Sequence, residues 1–177
     1  VVYVAVGATV EDGVNNAVSA SSATFTAVAN NAPVATAQTV TATEDTEVTI
    51  TLAGTDAEGS ALTYSISTLP TNGVLYQTSD GTTRGDAFTT VPTTVTNSEF
   101  KVIYLPPSNA NGDGYGNFGF KVNDGTETSA EATVTVNVTA VNDAPVLAAI
   151  GNRSTNEDVS HHVVLSATDA EGDAITY

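Results

Sequence analysis

Apolar and polar positions alternate along most of this chain. Val48, Ile50 and Leu52 alternate with Thr49 and Thr51, and Leu62, Tyr64 and Ile66 with Thr63 and Ser65. Phe100, Val102 and Tyr104 repeat the pattern, as do Phe118, Phe120 and Val122, and then Val134, Val136 and Val138 against Thr133, Thr135 and Asn137. A strand turns successive side chains to opposite faces, so each run predicts a strand with one apolar and one polar side. Such strands belong to antiparallel sheets buried on a single face. Further strands are expected near 34–41 and 73–77, with turns at Gly59, Asn72-Gly73, Asp80-Gly81 and Asp124-Gly125.

About seven short strands in roughly 110 residues predict an all-β, Greek-key β-sandwich of immunoglobulin or cadherin type. The chain has no Cys and no Trp, so the disulfide and tryptophan of antibody domains are missing and the cadherin type fits better. The pattern also repeats. The segment Glu44–Tyr64 recurs 113 residues later as Glu157–Tyr177, with eleven of 21 positions identical. Val10-Glu11-Asp12-Gly13 aligns with Val122-Asn123-Asp124-Gly125, and Asn30-Asn31-Ala32-Pro33 with Asn142-Asp143-Ala144-Pro145, both at a spacing of 112. The expected organisation is the closing strands of one repeat (1–31), one complete repeat (32–143) and the opening strands of another (144–177). The first residue already lies in an expected strand, so the sequence reads as a window on a longer protein, and each terminal piece is expected to be ordered only when completed by further chain or a neighbouring molecule.

Charge narrows the function. Twenty Asp and Glu stand against four Lys and Arg, a net charge of −16, which argues against nucleic acid and anionic lipid as partners. A hydrophobic content of 41% argues against disorder, and no apolar run is long enough for a bilayer-spanning helix. Without cysteine there is no disulfide framework, zinc-thiolate cluster or thiol catalyst.

The acids fall at strand ends and joints. Glu44 and Asp45 precede one strand, Asp56 and Glu58 lie in the turn after it, Asp124 lies in a later turn, and Asn142-Asp143 forms the joint. Turns at one pole of a sandwich can bring several carboxylates together, and converged carboxylates repel unless a cation sits among them. Calcium takes six to eight oxygen ligands in flexible geometry, whereas magnesium prefers to keep its waters. The bland alternative is that Asp-Gly and Asn-Asp are only turn formers. Against it, the same acids recur in register as Glu157, Asp158, Asp169 and Glu171.

The joint Val141-Asn142-Asp143-Ala144-Pro145, the Glu44-Asp45 pair, Asp56-Ala57-Glu58-Gly59 and the Val122–Gly125 turn resemble the cadherin-like tandem repeats of large calcium-dependent bacterial surface adhesins, as do Tyr104-Leu105-Pro106 and Phe118-Gly119-Phe120. The resemblance implies an Ig-like fold, Ca2+ near the joints, a stiff extended array, and a role in adhesion at the cell surface. It makes Glu44, Asp56, Glu58, Asp124, Asn142 and Asp143 the expected ligands of the complete repeat. Asp45, Asp12, Asn30 and Asn31, with Glu157, Asp158, Asp169 and Glu171, are their neighbours and counterparts. The first joint departs from the pattern: Asn31 stands where the second has Asp143, so calcium there is expected to be weaker or differently liganded. Neighbouring repeats of the same chain are the first expected partners, with homophilic, host or biofilm-matrix contacts beyond them.

Other signals point elsewhere less well. Asn109–Gly114 imitates the start of an EF-hand loop, but Phe120 occupies the position where a bidentate Glu is required. His161 and His162 lack convergent partners, no GxSxG elbow occurs, and the complete repeat contains no histidine, which excludes a Ser-His-Asp hydrolase there. Asn137-Val138-Thr139 and Asn152-Arg153-Ser154 fit a glycosylation sequon, but read as strand alternation and loop. Two further readings are ligand recognition by the loops at 78–97 or 106–117, and a self-assembling surface-layer or filament subunit.

Overall fold

The computed structural model describes residues 29–177 and, before them, the backbone of two short antiparallel strands, β1 (Glu11–Asp12) and β2 (Asn16–Ala17). All regular structure among the described residues is β. Ten strands follow between 34 and 139: β3 (Val34–Ala35), β4 (Gln38–Thr43), β5 (Val48–Thr51), β6 (Gly54–Thr55), β7 (Thr63–Thr68), β8 (Val74–Tyr76), β9 (Thr93–Thr94), β10 (Lys101–Leu105), β11 (Gly112–Asn123) and β12 (Ala132–Thr139). Two more, β13 (Val146–Leu147) and β14 (Ala167–Thr168), pair with each other.

Two layers face each other. One has the order β5-β10-β8, the other β4-β12-β11-β7-β9, and β3 pairs separately with β6. The alternation read from the sequence supplies the facing surfaces: Ile50, Leu52, Tyr64, Ile66, Val102, Tyr104, Phe118, Phe120, Val122, Val134 and Val136 are all buried in one cluster. All pairings in the five-stranded layer are antiparallel except β4 with β12, which run parallel in register from Gln38↔Val134 to Thr43↔Thr139. β4 and β12 therefore end at the same pole, while the antiparallel β11 ends at the other.

Several details differ from the sequence expectation. The strand expected at 34–41 is two pieces: β3 pairs antiparallel with β6, and the chain then changes partner to join β12 as β4. Phe100 is not part of β10. It takes φ 59°, stacks on Tyr64 with ring centroids 4.2 Å apart, and its carbonyl accepts the Leu52 N–H. Ile103 breaks the alternation of β10, being as fully buried as Val102 and Tyr104. Its register partners are Thr49 and Tyr76, and the loop at 78–86 reaches over both. Thr49 Oγ1 donates to the Gly81 carbonyl at 2.8 Å, and the Arg84 guanidinium lies 5.3 Å from the Tyr76 ring centre.

Candidate metal centre

Strand parity puts a carboxylate inside the sandwich. Ala42 is an inward position of β4, and two residues on, Glu44 keeps that parity and is only 1% exposed. Its backbone is held because the Glu44 N–H donates to the Thr139 carbonyl at 3.0 Å, extending the β4–β12 ladder by one step. Asp45 then turns the chain away with φ 57° and is exposed. Glu44 Oε1 accepts the Val141 N–H at 2.5 Å, while Oε2 is buried without a hydrogen-bond partner.

Past Val141 the chain reaches Asp143, whose N–H donates to Glu171 Oε2 at 2.9 Å. Glu171 belongs to the turn after β14. Asp169 Oδ1 accepts the Asp173 N–H at 2.9 Å, and Gly172, at φ 79°, closes the turn. Carboxylate oxygens of Glu44, Asp143 and Glu171 consequently lie within 4.8 Å of one another. Asp143 Oδ2 and Glu171 Oε1, like Glu44 Oε2, are shielded and have no hydrogen-bond partner. The Asp143 carboxyl is pushed above its ordinary range by burial first, then by the charges of Glu171, Asp45, Glu44 and Asp169. Converged carboxylates that leave three shielded oxygens without a proton donor are costly to hold together. Oxygens bound to one Ca2+ at about 2.3–2.6 Å can lie at most roughly 5 Å apart, so the spacing suits such an ion. The donor set is all oxygen, the type calcium prefers and zinc does not require.

The expected ligands of the complete repeat are parted between two poles. Glu44 and Asp143 are at the pole where β4 and β12 end; Asp56, Glu58 and Asp124 are at the opposite one, with Asn30 and Asn31. There the Asn31 N–H donates to Glu58 Oε2 at 3.1 Å and its Nδ2 to Glu58 Oε1 at 2.6 Å. Asn30 Nδ2 donates to Asp124 Oδ2 at 2.8 Å. The Asp124 carboxyl is held below its ordinary range by the Glu127 N–H, then by Asn30 and the Thr126 N–H. Asp56 Oδ1 accepts the N–H groups of Glu58 and Ser60, leaving Oδ2 shielded without a partner. Asn142 donates to the neighbouring Asp143 carbonyl rather than to a carboxylate. Glu157 and Asp158 are exposed and are not gathered with Glu171, and the Asp12 side chain lies outside the described residues. His161 and His162 are exposed.

The loops at 78–97 border a groove of about 410 Å³ lined mainly by Thr89, Thr90, Thr93, Thr96, Gln77 and Asp86. Gln77 is already engaged, donating to the Thr94 carbonyl and accepting from Thr96. Phe88, the groove's aromatic residue, is buried in the core, so no ring face is free for stacking.

Two facing β layers with a parallel pairing of the first and last long strands define an immunoglobulin-like β-sandwich, with an acidic cluster where it meets the next segment. The chain belongs to the SibA-like immunoglobulin-like domain family, which matches residues 9–138. That match takes in the Asn30–Pro33 segment. Among solved structures, the chain is similar to the N-terminal four Ig domains of Dscam1 isoform 4.44, with 13% identity and a TM-score of 0.38. The similarity covers 81% of this chain and 33% of that one, so this chain spans about a third of that structure. No curated protein matches. Among the described residues, no helix is long and apolar enough to cross a membrane.

Proposed function

We propose that this chain is a calcium-stiffened spacer of tandem immunoglobulin-like repeats, with a repeating unit at 32–143, in a bacterial cell-surface adhesin. The observation that carries the reading is the buried Glu44 carboxylate, whose Oε2 has no hydrogen-bond partner, converging with the carboxylates of Asp143 and Glu171. Each of the three comes from a different piece of chain: Glu44 from the sandwich, Asp143 from the linker and Glu171 from the segment that opens the next repeat. A cation bound by all three ties one repeat to the next. Without it, mutual repulsion loosens the Asn142–Pro145 joint and leaves it to act as a hinge. Asp45 and Asp169 add negative charge around the cluster.

This reading makes the chain a non-enzymatic structural module working outside the cell, where calcium-binding modules operate with Kd values of about 10⁻⁴–10⁻³ M. Its first partners are neighbouring repeats, and homophilic, host or matrix contacts are made by the array that the joints hold extended. Small-angle scattering and thermal melting, in calcium and in chelator, test it. Calcium at a hundredfold above Kd adds about 2.7 kcal/mol, raising Tm by roughly 5–10 °C for a chain of this size, and narrows the distribution of shapes. Identical scattering and melting in both buffers would remove the proposal.

A further inference from the structure

The two joints carry the same backbone seat but opposite side-chain chemistry. At the second joint the Asp143 N–H donates to Glu171 Oε2 at 2.9 Å; at the first, the Asn31 N–H donates to Glu58 Oε2 at 3.1 Å. The supporting turn is also repeated. Gly59 and Gly172 take φ 75° and 79°, and each donates its N–H to the Asp three residues back at 3.4 Å. β3 pairs with β6 as β13 pairs with β14, position for position at the repeat spacing.

What differs is the side chain on the seat. Asn31 Nδ2 donates to Glu58 Oε1 at 2.6 Å, and Asn30 Nδ2 reaches Asp124 Oδ2 at 2.8 Å. Amide protons thus occupy the Glu58 carboxylate and one Asp124 oxygen. Asp143 has no proton to offer. Its Oδ2 and Glu171 Oε1 both remain unpartnered, as does Glu44 Oε2, in three side chains whose carboxylates converge. An amide donor and a bridging cation are alternative ways of joining the linker to the same glutamate.

We infer that the residue at this seat decides how a joint is closed: Asn31 clasps Glu58 directly and makes the first joint calcium-independent, whereas Asp143 makes the second depend on a divalent cation. This rests on the calcium reading of the Glu44–Asp143–Glu171 cluster. Successive joints in one chain would then differ, one permanently seated and the next responsive to calcium, so the array bends at chosen joints when calcium falls.

The test measures amide hydrogen exchange by NMR on the whole 177-residue chain, with calcium chloride or chelator, comparing the Asn31 and Asp143 amides in wild type, Asp143→Asn and Asn31→Asp. In wild type, calcium should slow exchange at Asp143 and leave Asn31 unchanged. In Asp143→Asn, residue 143 should be protected in chelator and lose its calcium response. In Asn31→Asp, residue 31 should lose protection in chelator. A calcium response of equal size at both wild-type joints would overturn the inference while leaving the calcium reading intact, and would point to the unpartnered Asp56 Oδ2 as a ligand. Persistence of the calcium response in Asp143→Asn would also overturn it. No response at either joint would remove the calcium reading and this inference together.

Discussion

Glu44 and Val141, 97 residues apart in sequence, meet through a 2.5 Å hydrogen bond from the Val141 N–H to Glu44 Oε1. The parallel β4–β12 ladder makes this meeting unavoidable, since both strands run out at one pole in register. Glu44 therefore has two tasks on its two oxygens. Oε1 fastens the chain that follows β12 to the sandwich, and Oε2 is buried without a partner in a side chain that belongs to the acidic cluster.

Substitutions at Glu44 separate those tasks. Glu44→Gln keeps an acceptor for Val141 and removes one of the repelling charges. In chelator it should be as stable as wild type or up to about 1.5 kcal/mol more so, because the new amide can donate to an orphaned oxygen. Added calcium should then raise stability little. Glu44→Ala leaves the Val141 N–H unpaired and should lose about 1–3 kcal/mol in both buffers. Urea unfolding with and without calcium checks both, and a Glu44→Gln protein that gains as much from calcium as wild type would contradict the assignment.

Acidity acts on the same cluster with a definite sign. Because the folded, metal-free Asp143 carboxyl titrates above its ordinary value of 3.8, the folded chain holds that proton more tightly than the unfolded one. Its contribution to stability therefore falls as pH rises from 3.8 through the raised value. Asp124 and Glu131, held below their ordinary ranges by hydrogen bonds, act oppositely and lose stability as pH falls. The difference between wild type and Asp143→Asn isolates the first effect. In chelator, Asp143→Asn should be the more stable at neutral pH, with the gap closing on acidification. A gap that stays constant across that range would show that Asp143 feels no such repulsion. Calcium binding should itself weaken on acidification, since protons compete for the carboxylates.

The core has its own tight point at Tyr104. This buried ring donates its hydroxyl to the Asn72 carbonyl at 2.9 Å, and a Cβ on Gly116 would lie 2.2 Å from that hydroxyl oxygen. Gly116→Ala should destabilise by about 1–3 kcal/mol through overpacking. Tyr104→Phe should lose about 1 kcal/mol. The Phe ring should relieve only part of the Gly116→Ala clash, because the ring carbon bearing the hydroxyl would still be 2.6 Å away. A double-mutant cycle by chemical denaturation measures that coupling, and strict additivity would argue against the contact.

Asn97 holds the irregular entry to β10. Its buried side chain accepts the Glu99 and Lys101 N–H groups on Oδ1 and donates Nδ2 to the Ser79 carbonyl. Asn97→Ala should lose about 1–3 kcal/mol by stranding those groups. It should also loosen the left-handed turn at Phe100, visible as a changed near-ultraviolet signal from the stacked Tyr64 ring. An unchanged denaturation midpoint would show that water replaces the amide without loss.

Much of the sandwich is legible locally. Alternation is a property of the extended backbone itself, so the inward positions of β5, β7, β11 and β12 follow from sequence parity, and the same parity carries Glu44 inward after Ala42. The 112–113-residue recurrence is likewise a linear property. Partnership is not linear. The move from β6 to β12 after Ala35, the burial of Ile103 under the 78–86 loop, and the left-handed Phe100 all depend on what the folded chain places nearby. The same holds for the acids. Their positions at strand ends are written in the sequence, but the parallel run of β4 beside β12 sends Glu44 to the pole of Asp143 and away from Asp56, Glu58 and Asp124. Whether a carboxylate there meets an amide proton, as Glu58 meets Asn31, or another carboxylate, as Glu171 meets Asp143, depends on distances of a few ångströms between segments far apart in sequence.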